Sequence, residues 1–465
     1  MKDDRRGKRV TVMGLGLFSG GVAATRWFVR RGARVLVTDL RTREELAESV
    51  AQVEGLGVTV HLGGHRLEDF TQADLVVANP AVRLDSEYLH AARDAGVPVT
   101  SEMNLFFQHC RAPVVGVTGS NGKSTVAALI AHILTAAGRP CRLGGNIGRS
   151  LLPEVEDIRP DETVVLEISS FQLEYLHLDR LSPHVAVVLN LHPNHLDRHG
   201  TMENYAAAKR HILDHQRSGD VALLNADDER VSATPTAEGT ERLTFSMRGP
   251  VPAGAWVDGD VVRCLVGGRE TVVGGLDRMK LLGRHNRENA CAAVAVTAAL
   301  GVPPAAVGDA LPTFEPLPHR LQTVASHDGV TWVNDSIATN PDSVAAALDC
   351  FPGNVILIAG GSPKEIPYDP MVEPVRRKVK LLLLIGQTAG EIEAAVRAAG
   401  GDRPEIIQAG TLERAVEVAC ERAVRGDTVL LSPACASFDQ FRNFAERGDR
   451  FTELVHDEKG EAPLF

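Results

Sequence analysis

GVTGSNGKST, residues 116–125, follows an apolar run and opens an alanine-rich segment, so it predicts a turn from a buried strand into a helix. Its glycines let backbone N–H groups point into an anion cradle, and the helix N-terminus adds positive potential. Lys123 offers a cation to phosphate oxygens, and Ser124 has a hydroxyl suited to a magnesium ion. The stretch predicts a triphosphate site in an α/β domain, with nucleotide-binding residues Gly119, Ser120, Asn121, Gly122, Lys123, Ser124 and Thr125.

The glycines fall at positions 116, 119 and 122, a slight departure from the usual spacing of a P-loop. A glycine-rich turn with an incidental lysine is the alternative interpretation. The order Gly-Lys-Ser-Thr at the start of a helix favours nucleotide.

Two further segments carry polar residues at the ends of apolar strands. The run 164–170 includes Glu167, and a carboxylate at the end of a buried strand calls for a cation such as Mg²⁺, although an exposed strand-end glutamate is the alternative.

The run 190–199 includes His195, and Tyr205 and Lys209 stand on the next predicted helix. Zinc is the weaker interpretation of these histidines, because no cysteine lies nearby. Solvated or hydrogen-bonding loop histidines are the common case, and only the neighbouring nucleotide site favours a functional role for His195.

The N-terminal segment repeats the strand-turn-helix pattern at Gly14-Leu15-Gly16-Leu17-Phe18-Ser19-Gly20, and Asp39 ends the next strand. This is the distance expected for a ribose contact. Because Ser19 occupies the place of the usual third glycine, a nucleotide diphosphate fits better than a nicotinamide dinucleotide. A tight turn without a ligand remains the alternative.

Alternating strand and helix signals run along the whole chain and predict an α/β protein of three domains. We expect a Rossmann-like domain at 1–109, a central P-loop-type ATPase domain at 110–313 and a second Rossmann-like α/β domain at 314–465. Short alternating runs rich in Gly and Val between about 240 and 280 predict an antiparallel meander at the flank of the central domain.

Composition narrows the function classes. The chain has 465 residues, 44% of them hydrophobic, and a formal net charge of −11, which argues against a general nucleic-acid binder. No apolar run reaches the roughly 18 residues of a membrane span and no signal peptide is apparent, so we expect a cytoplasmic protein without membrane insertion. Seven cysteines without a close CxxC pair predict reduced, mostly buried thiols.

Taken together, these motifs resemble the Mur ligase family along essentially the whole chain. The matching stretches are GLGLFSGG, GVTGSNGKST, GGNIG, LEISSFQLE, NHLDRHG with Lys209 downstream, GRHNRENA, LPHRLQ, NDSIATNPDS, GGSPKE and SPACASFDQFRNFAERGDRF. The resemblance implies an ATP-dependent, ADP-forming amide ligase of peptidoglycan precursor synthesis. The last block implies the substrates UDP-N-acetylmuramoyl-L-alanine and D-glutamate, which are joined through an acyl phosphate.

The resemblance also implies roles for particular residues, and the predicted catalytic residues are Lys123, Glu167, His195 and Lys209. The uridine diphosphate substrate would contact Leu17, Phe18, Asp39 and Arg41, with Asn146 near the substrate and the metal. Two Mg²⁺ ions are implied, one near Ser124 and Glu167 and one near His195, and Lys209 matches a lysine that becomes carbamylated and binds metal. Around the adenosine the matching positions are Asn286, Asn289, Arg320 and Asp335. For the incoming amino acid they are Thr339, Lys364, Ser437 and Phe444, where Lys364 supplies the cation that a dicarboxylate needs.

Two positions depart from the family pattern: Ile337 stands where some members carry a lysine, and ANPA at 78–81 replaces the expected Ser-Pro-Gly. The competing function classes are a nicotinamide-dependent oxidoreductase, a catalytically silent nucleotide-binding regulator and a folate polyglutamylating enzyme. The spacing of Gly14 to Gly20 argues against the oxidoreductase. The presence of Lys123, Glu167, His195 and Lys209 together argues against the silent regulator, and the SPACASFDQF block argues against the folate enzyme. The partners expected are the two substrates, and we expect a monomer.

Overall fold

The computed structural model describes residues 5–17, 19–364, 366–401 and 403–459. Its contacts divide the chain into two compact units, residues up to 278 with 287–313, and residues 279–286 with those from 314 onward. The first unit contains two β-sheets and the second contains one. The three sheets and their helices agree with the predicted α/β class.

The first sheet has five parallel strands in the order β3-β2-β1-β4-β5. Its strands are β1 (Arg9–Met13), β2 (Arg34–Asp39), β3 (Thr59–Leu62), β4 (Leu75–Ala78) and β5 (Val99–Ser101). Its helices are α1 (Ser19–Arg30), α2 (Ala47–Ala51), α3 (Leu67–Thr71), α4 (Glu87–Asp94) and α5 (Glu102–His109). The order reverses between β1 and β4, and such a switch point is where doubly wound sheets bind ligands.

Gly14 follows β1 at this switch point and has a φ of 87°. A Cβ there would meet the Cβ of Asn79 at 2.8 Å. The turn therefore needs glycine both for its left-handed backbone and for the close approach of the segment after β4.

The second sheet has nine strands in the order β14-β13-β12-β11-β10-β9-β6-β8-β7. Its strands are β6 (Val114–Thr118), β7 (Cys141–Gly145), β8 (Thr163–Glu167), β9 (Val185–Val188), β10 (Val221–Asn225), β11 (Glu241–Ser246), β12 (Gly254–Asp258), β13 (Val261–Val266) and β14 (Arg269–Val273). Its helices are α6 (Lys123–Ala136), α7 (Ser170–Leu178), α8 (Leu196–His199), α9 (Met202–Arg210), α10 (Glu229–Ser232), α11 (Arg284–Ala299, in this unit from residue 287) and α12 (Pro304–Ala310).

Strand β6 lies between β8 and β9, and all five of its residues are buried. The apolar run before GVTGSNGKST is thus the central strand that delivers the glycine-rich turn to the sheet's carboxyl edge. At the far flank β12, β13 and β14 pair antiparallel. The predicted meander is therefore confirmed, although β11 joins β12 in parallel.

The third sheet, in the second unit, has the order β15-β16-β20-β17-β18-β19. Its strands are β15 (Gln322–His327), β16 (Val330–Asn334), β17 (Val355–Gly360), β18 (Val379–Ile385), β19 (Glu405–Gly410) and β20 (Thr428–Leu431). Its helices are α13 (Pro341–Leu348), α14 (Asp369–Lys378), α15 (Ala389–Ala398), α16 (Leu412–Arg422) and α17 (Phe444–Lys459). The sheet is parallel except for the hairpin of β15 and β16, which the sequence analysis did not predict.

All seven cysteines are free thiols, as expected. Only Cys264, Cys291 and Cys435 are fully buried, so the expectation of mostly buried thiols was wrong for the other four. Within the described ranges, no helix is both long and apolar enough to cross a bilayer.

Candidate active site

The predicted phosphate loop turns at Gly122, which caps α6 with a φ of 83°. A Cβ at this position would come within 2.4 Å of Asn289 Oδ1, so both the backbone and the close neighbour require glycine. Lys123 Nζ donates hydrogen bonds to the carbonyls of Gly119 (3.0 Å) and Ser120 (2.9 Å). The lysine therefore lies against the loop in which phosphate binding is predicted.

Asn190, which follows β9, braces the loop. Its Oδ1 accepts a hydrogen bond from the backbone N–H of Asn121 (2.8 Å), and its Nδ2 donates to the Asn121 carbonyl (3.2 Å). The hydroxyl of Ser120 donates to the carbonyl of His192 and bonds the hydroxyl of Tyr205 at 3.0 Å. Sequence reasoning gave Asn190 no role, although a polar residue directly after an apolar strand was a usable signal.

Ser124 and Thr125 begin α6 directly behind the loop. Ser124 is half-buried and Thr125 is buried. The first turn of this helix contains no acidic residue, so nothing there opposes an anion. Their assignment to nucleotide and metal remains a prediction.

Glu167 ends β8 and is 2% exposed. Its Oε1 accepts a hydrogen bond from Asn146 Nδ2 at 2.9 Å. Its Oε2 is buried and has no hydrogen-bond partner among the described residues. A buried carboxylate oxygen without a donor is costly unless a cation binds it, so this atom fits a divalent metal.

Lys209 on α9 is 2% exposed, and its Nζ lies 3.4 Å from Thr118 Oγ1 and 4.8 Å above the ring of Tyr205. Burial, reinforced by the charge of Lys123 and opposed by that of Glu167, holds the pKa of Lys209 well below its usual range. A lowered pKa increases the share of the neutral, nucleophilic amine beside the phosphate loop.

His195 stands before α8 in a left-handed conformation, with a φ of 54°, and its ring contacts that of Phe171 at a centroid distance of 5.0 Å. Partial desolvation and then the charge of Lys209 lower the pKa of His195, so a neutral imidazole is available as a metal ligand. His199 is different, because it is buried and bonds Ser170 Oγ at 3.0 Å. His195 and His199 therefore have different surroundings, since His195 is exposed and His199 is buried.

In the first domain, Asp39 fixes the glycine turn. Its Oδ2 accepts a hydrogen bond from the Gly16 N–H and its Oδ1 accepts one from the Arg41 N–H, both at 3.0 Å. Ser49 Oγ donates to the Gly16 carbonyl at 2.7 Å. Asp39 thus holds the shape of the turn, and the ribose or uridine contact predicted for it is untested.

Leu17 is 58% exposed at this turn and Arg41 is also exposed, so both side chains are accessible to a ligand. Phe18, predicted to contact the same substrate, lies outside the described residues. Ser19 Oγ accepts a hydrogen bond from the Ser150 N–H at 3.0 Å. The first domain's turn is thereby connected to the segment that follows Asn146.

In the second unit, Lys364 Nζ donates to the Thr339 carbonyl at 3.0 Å, so two of the predicted amino-acid-binding residues meet. Ser437 is 2% exposed, and its Oγ has no hydrogen-bond partner among the described residues. Phe444 begins α17, is 36% exposed and accepts a hydrogen bond from Ser336 Oγ through its carbonyl. An unpaired hydroxyl and a partly exposed ring are features of a binding surface.

Arg447 is a residue that sequence reasoning missed. It is 1% exposed, and its guanidinium donates to Ser336 Oγ (3.0 Å) and to the carbonyls of Ser336, Cys435 and Ala436 at 2.9 to 3.2 Å. Burial lowers its pKa to about 10, so it remains a cation at neutral pH. Arg447 fixes the backbone on either side of the predicted glutamate pocket.

Asp335 and Arg320 also belong to the second unit. Asp335 accepts hydrogen bonds from the Leu321 N–H (3.2 Å) and Ser432 Oγ (2.9 Å), and burial raises its pKa to about 7. Asn286 donates to the Leu282 carbonyl at 2.7 Å. The adenosine contacts predicted for Asn286, Asn289, Arg320 and Asp335 remain predictions.

Three family models match consecutive parts of the chain. A model described as Mur ligase MurD-like, N-terminal domain matches residues 8–101. A model described as Mur ligase middle domain matches residues 117–297, and one described as Mur ligase, glutamate ligase domain matches residues 319–435.

The curated relatives are similar over nearly their whole length. A UDP-N-acetylmuramoylalanine--D-glutamate ligase of Symbiobacterium thermophilum is 46% identical, over 96% of this chain and 98% of the relative. One from Pelotomaculum thermopropionicum is 42% identical over 98% of each chain. Among solved structures, the UDP-N-acetylmuramate-alanine ligase of Thermotoga maritima has a TM-score of 0.63 at 19% identity, covering 97% of this chain and 100% of that one. The MurF ligase of Thermotoga maritima, solved with ADP, has a TM-score of 0.58 at 18% identity, covering 98% and 99%.

Proposed function

The chain belongs to the Mur ligase family, and from that premise we propose that it joins D-glutamate to UDP-N-acetylmuramoyl-L-alanine in peptidoglycan precursor synthesis. The reaction is an ATP-dependent amide ligation that passes through an acyl phosphate and releases ADP and phosphate. The observation that carries the proposal is the full-length similarity to D-glutamate ligases. The buried carboxylate and amine beside a glycine-rich phosphate loop supply the matching chemistry.

In the first half-reaction, the carboxylate of the alanyl group attacks the γ-phosphorus of ATP, and the bond to ADP breaks as the new O–P bond forms. The loop and the first turn of α6 offer backbone N–H groups to the phosphates, apart from those of Ser120 and Asn121, which donate to Asn190. Lys123 supplies a positive charge there, which stabilises the charge that develops on the transferred group. Asn190 keeps the loop in shape and so limits its reorganisation during the reaction.

The donor set fits two magnesium ions, which are held in this proposal by Ser124 and Glu167 and by His195 and a modified Lys209. When bound, they neutralise charge on the phosphoryl oxygens. The unpaired Oε2 of Glu167 supports a cation at its position. Asn146 orients the other oxygen of the same carboxylate.

Lys209 is proposed to be carbamylated. Its neutral amine attacks the carbon of CO₂, an N–C bond forms, and the proton released from nitrogen passes to solvent. The product is an anion that offers oxygen ligands to a hard cation. The low pKa of Lys209 and the nearby charge of Lys123 both support this modification, because one frees the amine and the other stabilises the anion.

In the second half-reaction, the neutral amine of D-glutamate attacks the acyl phosphate, and the tetrahedral intermediate expels phosphate as the amide forms. We assign the glutamate to Thr339, Lys364, Ser437 and Phe444. Lys364 supplies charge for one carboxylate, and the unpaired Ser437 hydroxyl is available to the other.

The UDP-linked substrate is assigned to the first domain, at the turn that Asp39 holds and near the exposed Leu17. The predicted partners Phe18, Arg41 and Asn146 complete this assignment. We further propose that the enzyme is cytoplasmic and monomeric, and sedimentation of the purified protein would test whether it is a monomer.

The activity is tested by incubating the protein with ATP, Mg²⁺, UDP-N-acetylmuramoyl-L-alanine and one amino acid at a time. We expect phosphate release and a product of the mass of the glutamyl adduct with D-glutamate alone. L-glutamate, D-alanine and diaminopimelate are the controls. Release of phosphate without an amide product, or an equal product with another amino acid, would overturn the proposal.

A further inference from the structure

Three histidines and an aspartate converge on the surface of the central domain, in a set we name the His177 cluster: His177, His211, Asp214 and His215. Asp214 Oδ2 lies 2.7 Å from His211 Nδ1 and 3.4 Å from His177 Nδ1. His215 Nε2 lies 3.1 Å from His177 Nδ1. Within the described residues, one possible ligand atom from each of His177, His211 and Asp214 lies within 4.8 Å of the other two.

Two of these distances match a small coordination sphere, and the ligand atoms that all lie close to one another are those of His177, His211 and Asp214, with His215 in contact with His177. Ligand atoms bound tetrahedrally to Zn²⁺ at about 2.0 to 2.1 Å are about 3.3 Å apart. The separations of His177 from Asp214 and from His215 are close to that value. The separation of 2.7 Å between His211 and Asp214 is shorter, and a small rotation of either side chain widens it. A donor set in which imidazole nitrogens outnumber carboxylate oxygens favours Zn²⁺, whereas Mg²⁺ prefers a set made mostly of oxygen ligands.

Ring stacking and backbone hydrogen bonds hold these side chains close together. The rings of His177 and His211 stack with centroids 3.8 Å apart and planes 27° apart, so one ring has to turn before both rings can bind a single ion. The hydroxyl of Ser182 accepts a hydrogen bond from the His215 N–H (3.1 Å) and donates to the His211 carbonyl (3.5 Å). The ligand atoms are therefore held together by two separate segments, α7 and the chain after α9, as a chelating site requires.

The cluster is also open to solvent and distinct from the phosphate loop. The side chains of His177 and His211 are 39% and 19% exposed, so an ion has access. His211 comes two residues after the buried Lys209, which on a helical path of about 3.6 residues per turn places it on the opposite side. An ion here would connect α7, the helix that follows Glu167, with the end of the helix that carries Lys209.

We infer that the His177 cluster is a binding site for a divalent cation of the Zn²⁺ type, separate from the magnesium sites of the proposed ligase reaction. Arg210 pairs with Oδ1 of Asp214 at 3.2 Å and leaves Oδ2 for the ion. The alternative is that the His177 cluster is only a network of hydrogen bonds and binds no metal.

In the test, full-length protein is first freed of metal by a chelator. Saturating Mg²⁺ and a non-hydrolysable ATP analogue are then added to occupy the phosphate site, and the protein is titrated with Co²⁺ and with Zn²⁺. Four-coordinate Co²⁺ absorbs far more strongly in the visible range than six-coordinate Co²⁺, so the spectrum reports the geometry. The variants are His177→Ala and the nearly isosteric Asp214→Asn. His90→Ala, at an exposed histidine of α4, is the matched control.

We expect one strongly absorbing Co²⁺ per chain, displaced by Zn²⁺ and not by Mg²⁺. Its affinity should fall by at least about tenfold in both variants and be unchanged in His90→Ala. Zn²⁺ should raise the Tm of the wild type and of His90→Ala more than that of the variants. Unchanged binding in His177→Ala and Asp214→Asn, or no saturable binding in the wild type, would overturn the inference whether or not the protein is a ligase. If one variant fails to fold, the other decides.

Discussion

The amine of Lys209 lies 3.4 Å from the hydroxyl oxygen of Thr118, the last residue of β6, and this places a buried lysine at the edge of the phosphate loop. A buried ammonium is unfavourable unless it is paired. Lys123 repels it further and Glu167 opposes the effect, so the pKa of Lys209 is lowered and the neutral form of the amine is favoured. That form suits reaction with CO₂.

Replacing Lys209 by alanine should therefore remove most ligase activity, because the proposed carbamate is lost. Short carboxylic acids such as acetate should partly restore phosphate release by supplying the missing oxygen ligand. The wild-type enzyme should lose activity in buffer freed of CO₂ and regain it with bicarbonate. Undiminished wild-type turnover without bicarbonate would contradict carbamylation.

Lys123→Ala should lower phosphate release by about two to three orders of magnitude, the usual effect of removing one preorganised charge from a transition state. Binding of the UDP-linked substrate should be nearly unchanged, since that site is assigned to the first domain. Phosphate release and calorimetric substrate binding are the two measurements. Lys8→Ala, at an exposed lysine, is the control and should behave as the wild type. Near-normal turnover in Lys123→Ala would remove the assignment of the loop.

Glu167→Gln tests the metal assignment, because it removes the carboxylate charge and keeps the shape. Mg²⁺ with a non-hydrolysable ATP analogue should raise the Tm of the wild type. The rise should be clearly smaller in Glu167→Gln, whose side chain lacks the anionic oxygen that attracts the cation. Glu203→Gln, at a glutamate whose side chain is 77% exposed, is the matched control. An equal rise in all three proteins would show that Glu167 holds no magnesium.

The parts of this molecule that were predictable from sequence are those in which one short segment carries the whole signal. The turn at residues 116–125 contains both its strand and its helix start, and Glu167 directly ends a buried strand. The antiparallel pair β15 and β16 was missed although Asp328 and Gly329 connect it with φ values of 51° and 78°. An Asp-Gly pair is a strong hairpin signal, so this error came from reading the domain as uniformly parallel.

Other features could not be predicted, either because their local pattern is weak or because the residues they contact are far apart in the sequence. The strand at 59–62 is partly exposed and carries a histidine and a threonine, so it lacks the apolar pattern of the central strands. Arg447 looks like any charged helix residue until its contacts with residues near 336 and 436 are known. The His177 cluster likewise joins segments more than 30 residues apart.

Arg447→Lys should weaken glutamate binding more than it slows turnover. The buried guanidinium serves three carbonyls and one hydroxyl at once, and a lysine cannot reproduce that planar set of donors. We expect a loss of roughly 2 to 3 kcal/mol in the free energy of unfolding from the groups left without a partner. The KM for D-glutamate should rise severalfold with kcat changed less, because Ser437 follows directly after the fixed carbonyls. An unchanged KM would contradict a positioning role, and Arg442→Lys, at an exposed arginine nearby, is the control.

Glu102, at the start of α5, should make stability depend on pH. It is buried, with Ser150 Oγ as hydrogen-bond donor to its Oε1, and burial raises its pKa from 4.5 to about 7. Between these two values the folded protein binds more protons than the unfolded chain, so stability falls as pH rises through this window. The full difference is at most roughly 3 kcal/mol, at 1.36 kcal/mol per pKa unit.

Glu102→Gln keeps the hydrogen bond with Ser150 and cannot ionise. The variant should therefore gain stability relative to the wild type as the pH increases from about 5 to about 8, while the difference at pH 5 stays small. Urea unfolding of both proteins at several pH values measures this directly. Glu156→Gln, at a glutamate whose side chain is 61% exposed, should show no such trend. A difference between wild type and Glu102→Gln that is independent of pH would mean that Glu102 ionises at its ordinary pKa despite its burial.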